Sequence, residues 1–482
     1  MLKHGFFYLI AKLTPLLASF ILLAIYTRFL SIEDYGLFTT IQAIAYSISG
    51  FMFSWFYVGL MRFWSDNSLN EIKLKALVNS VLLTIILLVL ICLGLWGFIS
   101  QHISIATHCG LLFASAACYE AFQRINAMES HSQLYLQAEI SRTILLAVLG
   151  LAFIYLNYSW QGALLAISLS NLLVLWQQKF FLSQLKFGLL FDKILLSKIL
   201  QYGLPLSFSL IFLETIPVID RLLIADLLDL KSVGQFAIAY NLPNQILMIL
   251  ASSINLAAYP NIIKALETQG EFAAKQKLEN YSILLLSVLL PALLGLQVIA
   301  VDLYPLLMGK EFVAISLELL PLANLTVFLF ILYVFYVSLA FQLAKSIKPS
   351  LGLVAAAAFL SLVANIGLIP SFNIAGVFIA NSLAYVFCLI GGYIVGARYF
   401  RLPLPLIDII KIMLASALMY LILQAFSIHL IPLVNILIKI VLGALCYGFL
   451  IYLFNVAQAR QKLRIIIASY RPRYKSLGHL FS

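Results

Sequence analysis

The chain has 482 residues, of which 63% are hydrophobic and only 10% charged, against roughly 45–50% and 25% in soluble domains. No water-soluble fold hides that much apolar surface, so the composition excludes a soluble enzyme and defines a polytopic membrane protein. The net charge of +11 comes from basic residues scattered over short connections and the C-terminal tail, a pattern of membrane topology and not of a nucleic-acid partner.

The apolar runs are long and continuous, as from Val81 to Phe98 and from Tyr281 to Ile299. They lack the ten-residue alternation of a barrel, so the fold class is all-α integral membrane. At about 20 residues per span, fourteen helices are predicted over 5–29, 36–60, 77–99, 104–127, 134–156, 160–181, 201–225, 232–257, 281–304, 314–342, 350–370, 375–399, 407–428 and 434–456. The first follows Lys3 and carries Lys12; it is too long for a signal-peptide core and reads as a retained span.

An even number of spans puts both termini on one side. Most of the 30 Lys and Arg then fall in loops on that side, and the opposite loops hold Arg28, Lys231 and Lys310. By the positive-inside rule both termini are cytoplasmic. Opposite loops such as 101–104 and 157–160 are short and leave no room for a soluble catalytic domain. The internal link 261–280, with Glu267, Glu271, Lys275, Lys277 and Glu279, reads as a short amphipathic helix.

Shifting the sequence by 198 residues lays Gly5 on Gly203, Ile21 on Ile219, Leu30 on Leu228, Gly36 on Gly234 and Phe38 on Phe236. The offset spans six helices, so the copies share one orientation about an axis along the membrane normal. This predicts two six-helix lobes, 1–198 and 199–400, followed by an extra helix hairpin and basic tail over 401–482.

Catalytic motifs are absent: there is no glycine-rich phosphate loop, no zinc-protease helix and no nucleophile elbow. The five cysteines lie in or beside apolar runs without metal-like spacing and read as small core residues. What remains is a set of intramembrane charges, which are costly in hydrocarbon and must face protein or water. Glu120 and Arg124 are four apart and Glu139 and Arg142 three apart, so each pair shares a helix face and partly neutralises itself. Arg142, about 12 Å from its helix start, forms with Lys12 and Arg124 either a cationic chamber for an anionic head group or a set of structural pairs and snorkelling side chains.

Glu214 precedes Pro217, and Asp220 and Arg221 follow. A carboxylate there either binds a proton or Na⁺ and couples its gradient to movement, or belongs with Arg221 to an element fastening the external rim. Lys439 reads as a snorkelling side chain. Gln42, Tyr46, Asn324, Gln342, Asn365 and Asn381 suit either sugar hydroxyls or helix-helix hydrogen bonds.

The segments YTRFLSIEDYGLF (Tyr26 to Phe38), GLPL (Gly203 to Leu206), IDRLLIADLL (Ile219 to Leu228) and VGQFAIAY (Val233 to Tyr240) resemble the polysaccharide flippase family of the multidrug/oligosaccharidyl-lipid/polysaccharide exporter superfamily, which includes Wzx-like O-antigen flippases. The resemblance implies paired lobes that alternate between inward-open and outward-open states in the bacterial inner membrane. The implied cargo is an undecaprenyl-diphosphate-linked oligosaccharide, moved to the outer leaflet by a protein that is not an enzyme. It further implies a cationic cavity, a proton or Na⁺ as coupling ion with no other cofactor, membrane lipids around it, and a polysaccharide polymerase and chain-length machinery as partners.

Two departures stand out. Asp229 replaces the usual glycine near the end of helix seven, and the cavity is not Arg-rich as in lipid II flippases. Two other readings remain. A small-molecule or drug cation antiporter of the same fold would show a compact, aromatic and acidic cavity, and an O-antigen polymerase or ligase would need catalytic groups on a large external loop.

Overall fold

The computed structural model describes residues 14, 19–64, 71–346, 348–425, 431–458 and 460–461. Every regular element among them is helical. In chain order these are α1 (Ser19–Phe29), α2 (Ile32–Trp64), α3 (Glu71–Ile99), α4 (Ile103–Met128), α5 (Ser132–Tyr155), α6 (Trp160–Gln177) and the short α7 (Phe180–Leu185). There follow α8 (Lys193–Leu227), α9 (Leu230–Gln269), α10 (Glu271–Leu307), α11 (Lys310–Leu332) with its continuation α12 (Leu339–Leu343), α13 (Lys348–Gly396), α14 (Leu406–Ala425) and α15 (Pro432–Leu453). Ten helices among the described residues are long and apolar enough to cross a membrane.

Local chemistry sets the boundaries. Asp192 opens α8 by accepting the Ile194 and Leu195 amides at 3.0 Å, and Pro432 occupies the first turn of α15, where its missing N–H costs nothing. Asp229, the residue that departs from the family pattern, accepts the Ser232 amide at 2.6 Å and caps α9. That amide holds its carboxyl below the usual carboxylate range, with Lys231 adding to the effect. The α13 helix breaks at Asn373 (φ 52°, ψ −137°), just after Pro370. A Cβ on Gly376 would stand 2.5 Å from the Leu368 carbonyl oxygen, so two predicted spans meet here in a tight turn.

The link 261–280 is not a separate amphipathic helix. Helix α9 runs on to Gln269 and α10 starts at Glu271, with Gly270 (φ 86°) alone making the turn. Charged residues on the outer turns prolong both helices because an existing helix extends at little cost, whereas a new one must be nucleated.

The chain divides into two compact units. One comprises Met1–Ala239, Leu307–Leu319 and Ser346–Cys388. Its packing rests on close backbone approaches: a Cβ on Gly36 would stand 2.3 Å from Leu230 O, and one on Gly234 would stand 2.2 Å from Ile32 O. Ile32 and Leu230 are offset in sequence as Gly36 and Gly234 are, so α2 and α9 begin with reciprocal contacts, as two elements related by a two-fold axis would. Around this crossing, Tyr26 packs on Phe38 (5.3 Å between centroids), Tyr35 on Phe312 (5.5 Å), and the Gly309 amide donates to Thr27 Oγ1 at 3.0 Å. The family-like segments thus form a packed corner.

The second unit comprises Tyr240–Leu306, Leu320–Lys345 and Leu389–Ser482. Val298 of α10 packs on Met419 and Leu423 of α14, with Leu442 and Tyr447 of α15 against them. In α11 the ladder widens to a π-turn over Tyr333–Val337, and Tyr281 donates its hydroxyl to the Phe335 carbonyl at 2.8 Å. A cavity of about 660 Å³, lined almost wholly by side chains such as Leu286, Leu290, Phe328, Leu332, Ile390 and Met413, lies in this unit.

Candidate functional site

Four helices of the first unit, α2, α4, α5 and α6, converge on a chamber of about 310 Å³. Tyr46 and Ser49 line it from α2, Tyr119, Glu120 and Arg124 from α4, Arg142 from α5 and Asn171 from α6. Their spacing explains the convergence, since residues three or four apart share a helix face. Tyr119 and Gln123 are so placed on α4, as are Glu120 and Arg124.

Arg142 is the centre of the arrangement. Its Nε donates to Asn171 Oδ1 at 2.7 Å, its guanidinium lies 4.9 Å from the Tyr119 ring centroid, and Tyr46 lines the same chamber. Glu139 is anchored separately, with Oε1 accepting Gln123 Nε2 at 2.8 Å. Glu139 Oε2 stands 3.8 Å from Arg142 Nη1, an ion pair too long for a hydrogen bond, and this buried oxygen has no hydrogen-bond partner among the described residues. The guanidinium is therefore oriented by neutral groups and only loosely neutralised. Arg124 pairs with Glu120 at 3.1 Å and lies 5.8 Å from the Tyr57 ring. The chamber lining thus carries two guanidinium groups and one carboxylate, Glu120, with Glu139 behind Arg142. Lys12, the third predicted cation, lies outside the described residues.

A second polar cluster of the same unit is closed. Asp220 is 1% exposed. Its Oδ1 accepts Asn365 Nδ2 at 2.9 Å and its Oδ2 accepts Asn381 Nδ2 at 2.7 Å, while Ser361 donates to Asn381 Oδ1 at 2.6 Å. Asn365 Oδ1 has no hydrogen-bond partner among the described residues. Both Asp220 oxygens are thus met by N–H donors, and Asn365 Oδ1 is the acceptor left open beside them. Arg221 turns to its own helix, donating to the Pro217 carbonyl at 2.7 Å, with its guanidinium 5.8 Å from the Phe236 ring. Pro217 thus sits inside an unbroken α8. The Glu214 side chain lies outside the described residues.

Sequence reasoning marked Asp220, Asn365 and Asn381 separately and missed that they meet. The available signal is that both asparagines are equidistant in sequence from Asn373, so the hairpin returns them to one depth. Lys439 does not snorkel: in the second unit its Nζ binds Asp302 Oδ2 at 2.7 Å, and Asn435 donates to both Asp302 oxygens at 3.3 Å. Among the described residues no group of three His, Cys, Asp or Glu could hold a metal ion.

The chain is a multi-pass helical bundle with charges set inside apolar helices, and its fold is shared by solved structures of membrane transporters. Lipid II flippase MurJ in an inward closed conformation matches with a TM-score of 0.72 at 14% identity, over 93% of this chain and 98% of that one. An inward-facing multidrug resistance MATE family transporter matches at 0.55 and 17%, over 85% and 95%. A MOP superfamily transporter from Pyrococcus furiosus matches at 0.52 and 14%, over 88% and 96%. Identities this low establish fold alone. Residues 1–266 match the polysaccharide biosynthesis protein family, and the chain belongs to that family. No curated protein matches it in sequence.

Proposed function

We propose that the protein is a flippase that moves an undecaprenyl-diphosphate-linked oligosaccharide from the cytoplasmic to the outer leaflet of the bacterial inner membrane by alternating access. The observation that carries this reading is Arg142, held by Asn171 and Tyr119 with its carboxylate 3.8 Å away. A guanidinium fixed through neutral partners keeps N–H groups for a diphosphate, which it recognises bidentately. Arg124 and Lys12 are the supporting cations, and Tyr46, Ser49 and Asn171 supply contacts for the first sugar. Membership of the polysaccharide biosynthesis protein family supports a saccharide-bearing substrate.

The two lobes, 1–198 and 199–400 with the hairpin and tail beyond, rock about the repeat axis, a reading supported by the reciprocal Gly36 and Gly234 contacts. Asp220 binds the coupling proton or Na⁺, with Glu214 as the other candidate; exchange there resets the carrier. The charge bias of the loops supports cytoplasmic termini. A polysaccharide polymerase with its chain-length machinery receives the product.

The test is transport by the purified protein in proteoliposomes, offered either a prenyl-diphosphate oligosaccharide or a small organic cation, with and without a proton or Na⁺ gradient. Gradient-stimulated movement of the lipid is the expected result. Efflux of the cation with no movement of the lipid would move the protein to the antiporter reading.

A further inference from the structure

The turn between α9 and α10 carries a second polar cavity, which belongs to the second unit and is independent of the transport reading. It holds about 390 Å³. Below Gln269 at the turn, its lining is layered about Gly270: Lys264 and Lys277 first, then Asn261 and Asn280, then Ala258 and Leu284. Antiparallel helices joined by one residue bring positions equidistant from the turn to the same height, so two ammonium groups, two amides and an apolar floor succeed one another with depth.

The chemistry of each layer is open to a ligand. Among the described residues neither the Lys264 nor the Lys277 ammonium has a carboxylate within ion-pair distance, and no carboxylate lines the cavity. The nearby Glu271 is engaged by Lys275 at 2.7 Å. Asn261 and Asn280 each spend one N–H on their own helix, on the Ala257 and Gln276 carbonyls at 3.0 Å, which leaves each a second N–H. The level in the bilayer is fixed by the apolar run that starts at Tyr281: helices of 40 and 37 residues exceed the roughly 30 Å hydrocarbon core. The turns before Tyr281 therefore stand among the lipid head groups.

We infer that this cavity is a binding site for an anionic glycerophospholipid of the surrounding leaflet. The phosphodiester sits between Lys264 and Lys277, the glycerol ester carbonyls meet Asn261 and Asn280, and an acyl chain runs along Ala258 and Leu284. A bilayer lipid is favoured over a soluble phosphate because the apolar floor continues the polar mouth toward the hydrocarbon.

The full-length protein is reconstituted in equimolar phosphatidylglycerol and phosphatidylcholine, extracted in detergent, and its retained lipid counted by mass spectrometry. Wild type retains phosphatidylglycerol in excess. Near-surface lysines are each worth roughly fivefold in binding an anionic lipid, so Lys264→Gln with Lys277→Gln removes the excess, and Lys275→Gln preserves it. Should the double variant fail to fold, Lys277→Gln alone loses about fivefold and Lys277→Arg keeps the excess. Unchanged retention in the glutamine variants overturns the site. Displacement of the lipid by millimolar inorganic phosphate, or by an equal amount of a prenyl diphosphate, overturns the assignment to a bilayer phospholipid.

Discussion

Arg142 and Lys439 are both cations set deep in apolar helices, and they end in opposite circumstances. Lys439 is locked, with its ammonium 2.7 Å from Asp302 and the carboxylate further held by Asn435. Arg142 has its carboxylate at 3.8 Å and faces a chamber. A tight pair satisfies itself and fastens α15 to α10, whereas a loose pair oriented by neutral groups keeps binding capacity. Depth alone does not separate a working charge from a structural one; the distance to its counter-ion and the space beside it do.

The comparison is sharpest for removal of each cation. Arg142→Gln should weaken binding of a prenyl diphosphate by about thirtyfold or more, since losing one partner of a desolvated charge contact costs roughly 2–5 kcal/mol. Its melting temperature should fall less than that of Lys439→Gln, because the ion pair lost is the looser one, 3.8 Å against 2.7 Å, and Glu139 keeps its bond from Gln123. Equal binding by titration calorimetry would remove Arg142 from the site.

Lys439→Gln should do the reverse. It leaves the half-buried Asp302 without its counter-ion, at a cost of up to about 3 kcal/mol, while diphosphate binding by the folded protein persists. Combining it with Asp302→Asn should restore most of the stability in chemical denaturation. A double variant as unstable as the single one would contradict the account of this pair.

Asp220 lies between the two cases, being fully bonded like Asp302 yet beside an unpartnered amide oxygen. Asp220→Asn should preserve the diphosphate affinity and abolish the response of transport to a gradient. Retention of that response would make the cluster a fastening only. The smallest effect belongs to Asp229, an exposed cap of α9 with a depressed carboxyl pKa. Its contribution, at most about 1 kcal/mol, is present above the unfolded carboxyl pKa and lost as pH falls through the lower folded value. Melting of Asp229→Ala should therefore lie slightly below wild type at neutral pH and converge with it in acid.

The bundle was legible in the sequence because hydrocarbon enforces long apolar runs, and the spans found agree with those expected, including the pair joined at Asn373. Gly36 and Gly234 were legible as a repeat because a close backbone approach tolerates no side chain. The chamber was only partly legible: spacing of three or four linked Glu139 to Arg142 and Glu120 to Arg124, and Tyr46 stood out as a polar aromatic in an apolar run, but no local rule reports Asn171. The Asp220 cluster and the Asp302 to Lys439 bond join residues far apart in the chain, and hydrogen-bond partners at that separation leave no periodic trace. Lys439 read as snorkelling because its partner lies on another helix.

The central claim is that Arg142 carries a lipid diphosphate across the membrane. It is tested most directly by the leaflet accessibility of an undecaprenyl-diphosphate oligosaccharide in proteoliposomes containing wild type or Arg142→Gln. The account predicts that the sugar becomes exposed on the opposite face with wild type and stays where it was loaded with the variant. Equal exposure with both proteins would contradict it.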